Sequence, residues 1–329
     1  MANVMRKFLK LVLYTGLILF FVPVVFTQAI NVVKPNGRQF DWVSLGETSY
    51  EDIRFKNNQQ DIDLGGMLFV PEGDGPFPAA VIIHGSGPSR RDSGWYLTIT
   101  KYLQDNGVVV LLPDKRGSEQ SRGDWRSSSF EDLATDTLAG IDFLREQEDI
   151  EILHIGIIGM SQGGRIAPLV ARQSSEAAYV VNIVGGSLPG YESLYYEEVH
   201  NLRQMGFLPG ISDLMAYPTS FILINVTDRQ YWNSVGNFNP LPHWNEATLP
   251  ALNLYGEADT NVPSLESARV LQELNKPNIE VIVYAGSGHA LEDPKGQGNS
   301  IFRTDALQKI LDFIFKNTSH TYGGPYGIN

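Results

Sequence analysis

The sequence predicts an α/β fold, a mostly parallel eight-stranded sheet flanked by helices and interrupted by an inserted helical cap. Three observations point there. From about residue 50 onward, short apolar runs rich in β-branched residues alternate with helix-length amphipathic stretches, the pattern of repeated strand–helix–strand units. The runs VVVLL (108–112) and IGIIG (155–159) are apolar without alternation, as strands covered on both faces must be. From about 187 to 248 the rhythm stops while Tyr191, Tyr195, Tyr196, Phe207, Tyr217, Phe221, Tyr231, Trp232, Phe238 and Trp244 crowd together. That stretch is too long for an ordinary loop and reads as an insertion.

The chain opens with Arg6, Lys7 and Lys10 ahead of an uncharged run, Leu11 to Phe26, and then the small-residue pattern Thr27-Gln28-Ala29. This is the order of a secretory signal, so residues 1–29 read as a signal peptide. A membrane anchor through residues 8–26 is the competing reading, although the run falls short of the ~20 residues that span a bilayer comfortably. Either reading predicts export, to the periplasm or the exterior, or attachment to a membrane with the remaining domain outside the cytoplasm. Residues 30–329 then form one domain, with the cap at about 187–248. Its strands are predicted at 51–55, 65–70, 79–84, 108–113, 153–158, 179–184, 251–255 and 279–284. Helices are expected at 95–106, 130–147, 162–174, 264–274 and 304–317.

Composition removes several function classes. With 25 basic against 37 acidic side chains, the net charge of −12 argues against nucleic acid, whose phosphates need a clustered basic surface. No cysteine is present, so disulfides, thiolate metal sites and cysteine nucleophiles are excluded together. No His-x-x-x-His pair suggests a metal. Neither G-x-G-x-x-G nor Gly-Lys-Ser/Thr follows the glycine-rich turn at 85–87, so no phosphate-bearing cofactor is expected.

The segment Gly159-Met-Ser161-Gln-Gly163 carries the chemistry. It is Gly-x-Ser-x-Gly placed directly after an apolar strand and directly before an amphipathic helix. A serine on so sharp a turn has a strained backbone, and the flanking glycines let the turn close. The hydroxyl then projects into the open, beside the free amides of the following helix. A serine at its own pKa is a weak nucleophile and needs a base that is itself held by a carboxylate. Of six histidines, His84 lies in the His-Gly-Ser-Gly turn, His154 begins a strand, His200 and His243 fall in the insertion, and His320 is in the tail. His289 alone occupies a short loop just after the last predicted strand, where a sheet delivers residues to its carboxyl edge.

For the carboxylate, Tyr255-Gly-Glu257-Ala-Asp259 follows the penultimate strand; Asp259 is the first choice and Glu257, nearer the strand end, competes. The loop His84-Gly85-Ser86-Gly87-Pro88 follows an earlier strand, at the position from which an amide can face the nucleophile. The amides of Ser86 and Gln162 are the expected oxyanion hole, with Gly87 as the alternative to Ser86.

The order Ser161, Asp259, His289 and these loops together resemble the α/β-hydrolase superfamily. More narrowly, they are similar to bacterial serine esterases and serine aminopeptidase-like hydrolases that combine a His-Gly-Ser-Gly-Pro loop with a cap. The segment Asp114-Lys-Arg-Gly117-Ser-Glu119-Gln-Ser121-Arg-Gly123-Asp-Trp125 resembles that group's Asp-Lys-Arg-Gly-x-Gly-x-Ser-x-Gly-Asp-Trp loop, with Glu119 where the group usually has glycine. Asn239-Pro-Leu-Pro242 and Val262-Pro263 fit as well. The resemblance covers roughly residues 45–318 and implies the α/β-hydrolase fold and acyl transfer through a serine. A small-molecule acyl ester is the expected substrate. Hydrolysis of a peptide from its N-terminus is the rival, with Glu197, Glu198 and Asp213 as possible partners of a substrate ammonium. A non-catalytic binding protein on the same scaffold is the third reading, against which stands an intact set of three residues.

Overall fold

A computed structural model describes residues 2–33, 42–294 and 302–318. The predicted domain's residues 34–41, 295–301 and 319–329, including His320, lie outside the described residues. The eight predicted strands form one sheet: β1 (Glu51–Asn57), β2 (Ile62–Phe69), β3 (Phe77–Ile83), β4 (Val109–Pro113), β5 (Ile152–Met160), β6 (Ala177–Ile183), β7 (Ala251–Gly256) and β8 (Ile279–Tyr284). They run in the order β1-β2-β4-β3-β5-β6-β7-β8. β1 pairs antiparallel with β2 and β2 antiparallel with β4, while every later pairing is parallel.

Adjacent residues of the central strands serve opposite layers, because side chains alternate along a strand. Ile82, Val110, Ile158 and Val181 meet Leu97 and Leu103 of α2 (Gly94–Asp105) and Ile310 and Ile314 of α10 (Thr304–Thr318). Their neighbours Val81, Val109, Ile157 and Val180 meet Leu133 of α3 (Phe130–Arg145), Ile166 and Leu169 of α4 (Gln162–Gln173), and Leu271 of α9 (Ser264–Glu273). Both faces are thus covered, which is why these strands read as unbroken apolar runs.

Between β6 and β7 the chain is helical: α5 (Gly190–Gln204), α6 (Pro209–Ile222), a π-helical turn at Leu223–Thr227, α7 (Arg229–Val235) and α8 (Leu241–Glu246). Val199, Leu202 and Ala216 make a small core of their own with Tyr195, Phe207 and Met215 packed on it. Trp244 of α8 is fully buried in the layer under α4 and α9. Leu208, Ile211, Leu214, Tyr217 and Phe221 are exposed. At the start of the chain, α1 (Ala2–Val33) packs against α6, with residues 4–18 exposed. Among the described residues, no helix is long and apolar enough to cross a membrane.

Candidate active site

Ser161 sits on the turn between β5 and α4 with φ 53° and ψ −117°. A non-glycine residue at positive φ stores roughly 1–3 kcal/mol, so the surroundings must hold it there. They do so by contact. A Cβ on Gly159 would lie 2.4 Å from the Gly163 carbonyl oxygen, and one on Gly163 would lie 2.0 Å from that of Ile83. No side chain fits at either flank, which is the physical content of the motif. The Ser161 amide donates to the Ile183 carbonyl at 2.9 Å, tying the turn to β6.

His289, on the loop after β8, places Nε2 2.9 Å from Ser161 Oγ and Nδ1 2.9 Å from Asp259 Oδ2. Because the carboxylate can only accept, Nδ1 carries the proton and donates to it. Nε2 is then free to accept from the serine hydroxyl. Asp259 has no exposed side-chain surface. Its Oδ1 accepts from the amides of Asn261 (2.9 Å) and Val262 (3.0 Å), and its Oδ2 accepts from Ser264 Oγ (2.9 Å). Burial works to lower the His289 pKa, but the charge and hydrogen bond of Asp259, helped by Glu197 and Glu292, leave it raised above its ordinary value. Glu257 is turned elsewhere, exposed and accepting from the Gly286 amide at 3.0 Å. Of the two acids in that loop, the structure brings Asp259 to the imidazole.

His84 is held out of acid–base chemistry. Its Nε2 donates to the Pro113 carbonyl at 2.7 Å, and burial, then the Lys115 charge, push its pKa down to about 3. The next residue, Gly85, lies against the serine, since a Cβ on it would sit 3.3 Å from Ser161 Cβ. Ser86 follows, and Gln162 is the first residue of α4, so both expected oxyanion residues border Ser161. A cavity of about 390 Å³ opens beside this loop, lined by Gly85, Ser86, Pro88, Arg90, Ser93 and Tyr96.

Four side chains at the site were not singled out from the sequence. Tyr196 donates its hydroxyl to the Asp259 carbonyl at 2.7 Å. Trp95 donates Nε1 to the Ala290 carbonyl at 3.2 Å, with its ring 5.9 Å from that of His289. Tyr231 accepts from Gln162 Nε2 at 2.6 Å, and burial raises its pKa to about 12. Lys115 donates to the Gly85 carbonyl (2.7 Å), the Gly87 carbonyl (3.1 Å) and Gln162 Oε1 (2.6 Å), and burial lowers its pKa to about 7. The Asp-Lys-Arg run was a signal for Lys115, and the aromatic crowding a signal for Tyr196 and Tyr231. In the same loop Glu119 takes φ 49°, the left-handed backbone that glycine adopts freely. Among the described residues, no group of three or more His, Asp or Glu could hold a metal ion.

Two family profiles match this chain. That of the BAAT/acyl-CoA thioester hydrolase C-terminal region matches residues 139–301, and that of the serine aminopeptidases matches residues 76–185. Neither profile covers half of the chain, and the sheet described above has the α/β-hydrolase fold, similar to that of serine aminopeptidases and esterases. The chain is 24% identical over 254 residues to esterase EstD of Thermotoga maritima, covering 72% of this chain and 60% of EstD. It is 24% identical over 285 residues to the human acylamino-acid-releasing enzyme, covering 79% of this chain and 37% of that one. The chain thus spans less than two thirds of either relative. Among solved structures, Pyrococcus furiosus esterase Pf2001 superposes with a TM-score of 0.60 at 20% identity, over 85% of this chain and 95% of that one. The acylaminoacyl peptidase of Pyrococcus horikoshii gives 0.58 at 20% identity, over 84% of this chain and 43% of that one. These likenesses agree on the fold.

Proposed function

We propose that the hydrolase cleaves carboxylic esters through an acyl-enzyme on Ser161. The observation that carries this reading is the hydrogen-bonded line from Ser161 through His289 to Asp259, 2.9 Å at each step. As Ser161 Oγ attacks the acyl carbonyl, Nε2 takes its proton, and the imidazolium so formed is stabilised by Asp259. The amides of Ser86 and Gln162 meet the oxyanion; one such donor is worth ~3–4 kcal/mol in other enzymes. The leaving alcohol collects the proton from Nε2, and a water, deprotonated by His289, releases the acid in the second half. EstD's name and the acyl-CoA thioester hydrolase profile favour an oxygen or sulfur ester over an amide.

A second reading, removal of residues from a peptide N-terminus, has one observation in its favour. Of the three acids considered for a substrate ammonium, Asp213 pairs with Arg203 and Glu198 is buried with Asn201 donating to it. Glu197 is near enough to raise the pKa of both His289 and Tyr231. The two readings separate in a panel of p-nitrophenyl esters of increasing chain length, an acyl thioester, and aminoacyl anilides. The ester reading predicts kcat/KM at least ~100-fold higher on its best ester than on any anilide, a gap of about 2.7 kcal/mol in transition-state binding. Faster cleavage of the anilides overturns it.

Export belongs to the proposal as well. The order of basic residues, apolar run and small residues in 1–29 supports a signal peptide or a retained anchor through residues 8–26. N-terminal sequencing of protein recovered from membrane and soluble fractions of an expressing cell separates the two. An intact Met1 in the cytosolic fraction alone contradicts both.

A further inference from the structure

We infer that Lys115 is a positioning residue that preorganises the oxyanion hole, by fixing from one ammonium both backbone segments that supply its amides. The inference rests on the assignment of the Ser86 and Gln162 amides as the donors. When protonated, Lys115 Nζ has three N–H bonds, and each has an acceptor: the carbonyls of Gly85 and Gly87 on one side and Gln162 Oε1 on the other. In a trans peptide the carbonyl and the next residue's N–H lie in one plane and point in opposite directions. Holding the Gly85 carbonyl toward Lys115 therefore aims the Ser86 N–H away from it. The Gly87 carbonyl, held by the same nitrogen, stops the loop from rotating about Ser86. Gln162 is held twice, by Lys115 at Oε1 and by Tyr231 at Nε2, so the start of α4 is fixed relative to the loop.

The anchor itself is rigid. The Lys115 amide donates to Ser89 Oγ at 2.9 Å, and the Lys115 carbonyl accepts from the Ser118 amide at 2.9 Å. Asp114 is bound bidentately by Arg91, and Arg116 is bound to Asp136. The flanking residues are thus pinned by ion pairs that point away from the site, and only Lys115 reaches inward. Its three acceptors are neutral oxygens, and the Trp125 ring lies 5.3 Å from it. Burying an ammonium among neutral partners is costly, and a fold that needed only packing here would use an apolar side chain. What the charge adds is three charge-assisted hydrogen bonds that tie the loop after β4 to the loop after β3 and to the start of α4.

The test uses the full chain. Lys115→Met keeps most of the stem and removes all three donors. On a short p-nitrophenyl ester its kcat is expected to fall ~100-fold while KM stays within about threefold, because the lost alignment matters only where the oxyanion forms. Affinity for an alkyl boronic acid, which presents a tetrahedral anion to Ser161, falls by a similar factor. Lys115→Arg keeps a cation and restores part of kcat. A folded Lys115→Met with kcat within about threefold of wild type, or a loss carried by KM alone, overturns the inference. Should Lys115→Met fail to fold, Gln162→Leu reads the same contact from the helix side: a fall in kcat at constant KM is expected, and an unchanged kcat overturns it. Ser161→Ala separates the two levels of argument. Residual wild-type hydrolysis in Ser161→Ala sinks the site assignment itself, whereas a dead Ser161→Ala beside a fully active Lys115→Met sinks only the role of Lys115.

Discussion

The carboxyl edge of the sheet and the helical insertion above it are built on different terms. The sheet edge presents Ser161, Asp259 and His289 on short turns, each one clamped by backbone hydrogen bonds and by glycines that admit no Cβ. The insertion reaches the same place with tyrosines whose hydroxyls touch the supports of those residues: Tyr196 on the Asp259 carbonyl and Tyr231 on the Gln162 side chain. One region holds the three candidate residues rigidly, and the other shapes what surrounds them. Reactivity should therefore collapse with changes at the sheet edge and shift in degree with changes in the insertion.

The largest effect expected is at the sheet edge. Asp259→Asn should lower kcat by ~10⁴-fold, since the amide favours the wrong imidazole tautomer, while Glu257→Gln should stay near wild type. The reverse result would exchange the two acids. In the insertion, Tyr196→Phe should cost only several-fold in kcat/KM, the size of one lost hydrogen bond of about 1 kcal/mol. Equal losses in Tyr196→Phe and Asp259→Asn would erase the distinction between the regions.

Titration tests the same edge. In the proposed mechanism His289 acts as a base only when neutral, and Asp259 raises its pKa above the ordinary value. The plot of log kcat/KM against pH should therefore rise with unit slope below that raised pKa and flatten above it. Loss of the carboxylate in Asp259→Asn should move the inflection to lower pH. For stability the sign is the opposite. A raised folded pKa contributes stability that is fully present below the unfolded value and is lost as pH rises through the folded one.

The sheet was legible in the sequence because its strands are buried on both faces, so each announces itself as an apolar run. The insertion was expected to be helical, but its individual helices were not placed, because their apolar residues serve three surfaces at once. Val199 and Leu202 face a small internal core, Tyr196 faces the site, and Leu214 and Phe221 face outward, which breaks any single periodicity. α7 and α8, at seven and six residues, are too short to show a period at all. At the site, Ser161, Asp259 and His289 were legible because each sits in a local signal at the end of a strand. The Asp-Lys-Arg run marked Lys115 but not its contacts, which exist only where the loops after β3 and β4 converge with the start of α4.

Stability should divide along the same line. Ile158→Ala, in the two-sided core, should cost about 2–5 kcal/mol in unfolding free energy. Leu214→Ser, on the outward face of α6, should stay within about 0.5 kcal/mol of wild type by denaturant titration. A small effect of the opposite sign is expected at Glu119. Glu119→Gly relieves a left-handed backbone, and a gain of up to about 1 kcal/mol is expected. Destabilisation there would mean that the Glu119 side chain, which accepts from the Arg91 amide, outweighs the strain.

The central claim is that Ser161 is the nucleophile, and covalent trapping tests it most directly. The chain treated with an alkyl fluorophosphonate, digested and mapped by mass spectrometry should carry one phosphonate, on the peptide containing Gly159-Met-Ser161-Gln-Gly163. Hydrolysis should be lost in proportion to labelling, and Ser161→Ala should take up none. Labelling that persists in Ser161→Ala, or full occupancy of Ser161 with esterase activity unchanged, would contradict the account.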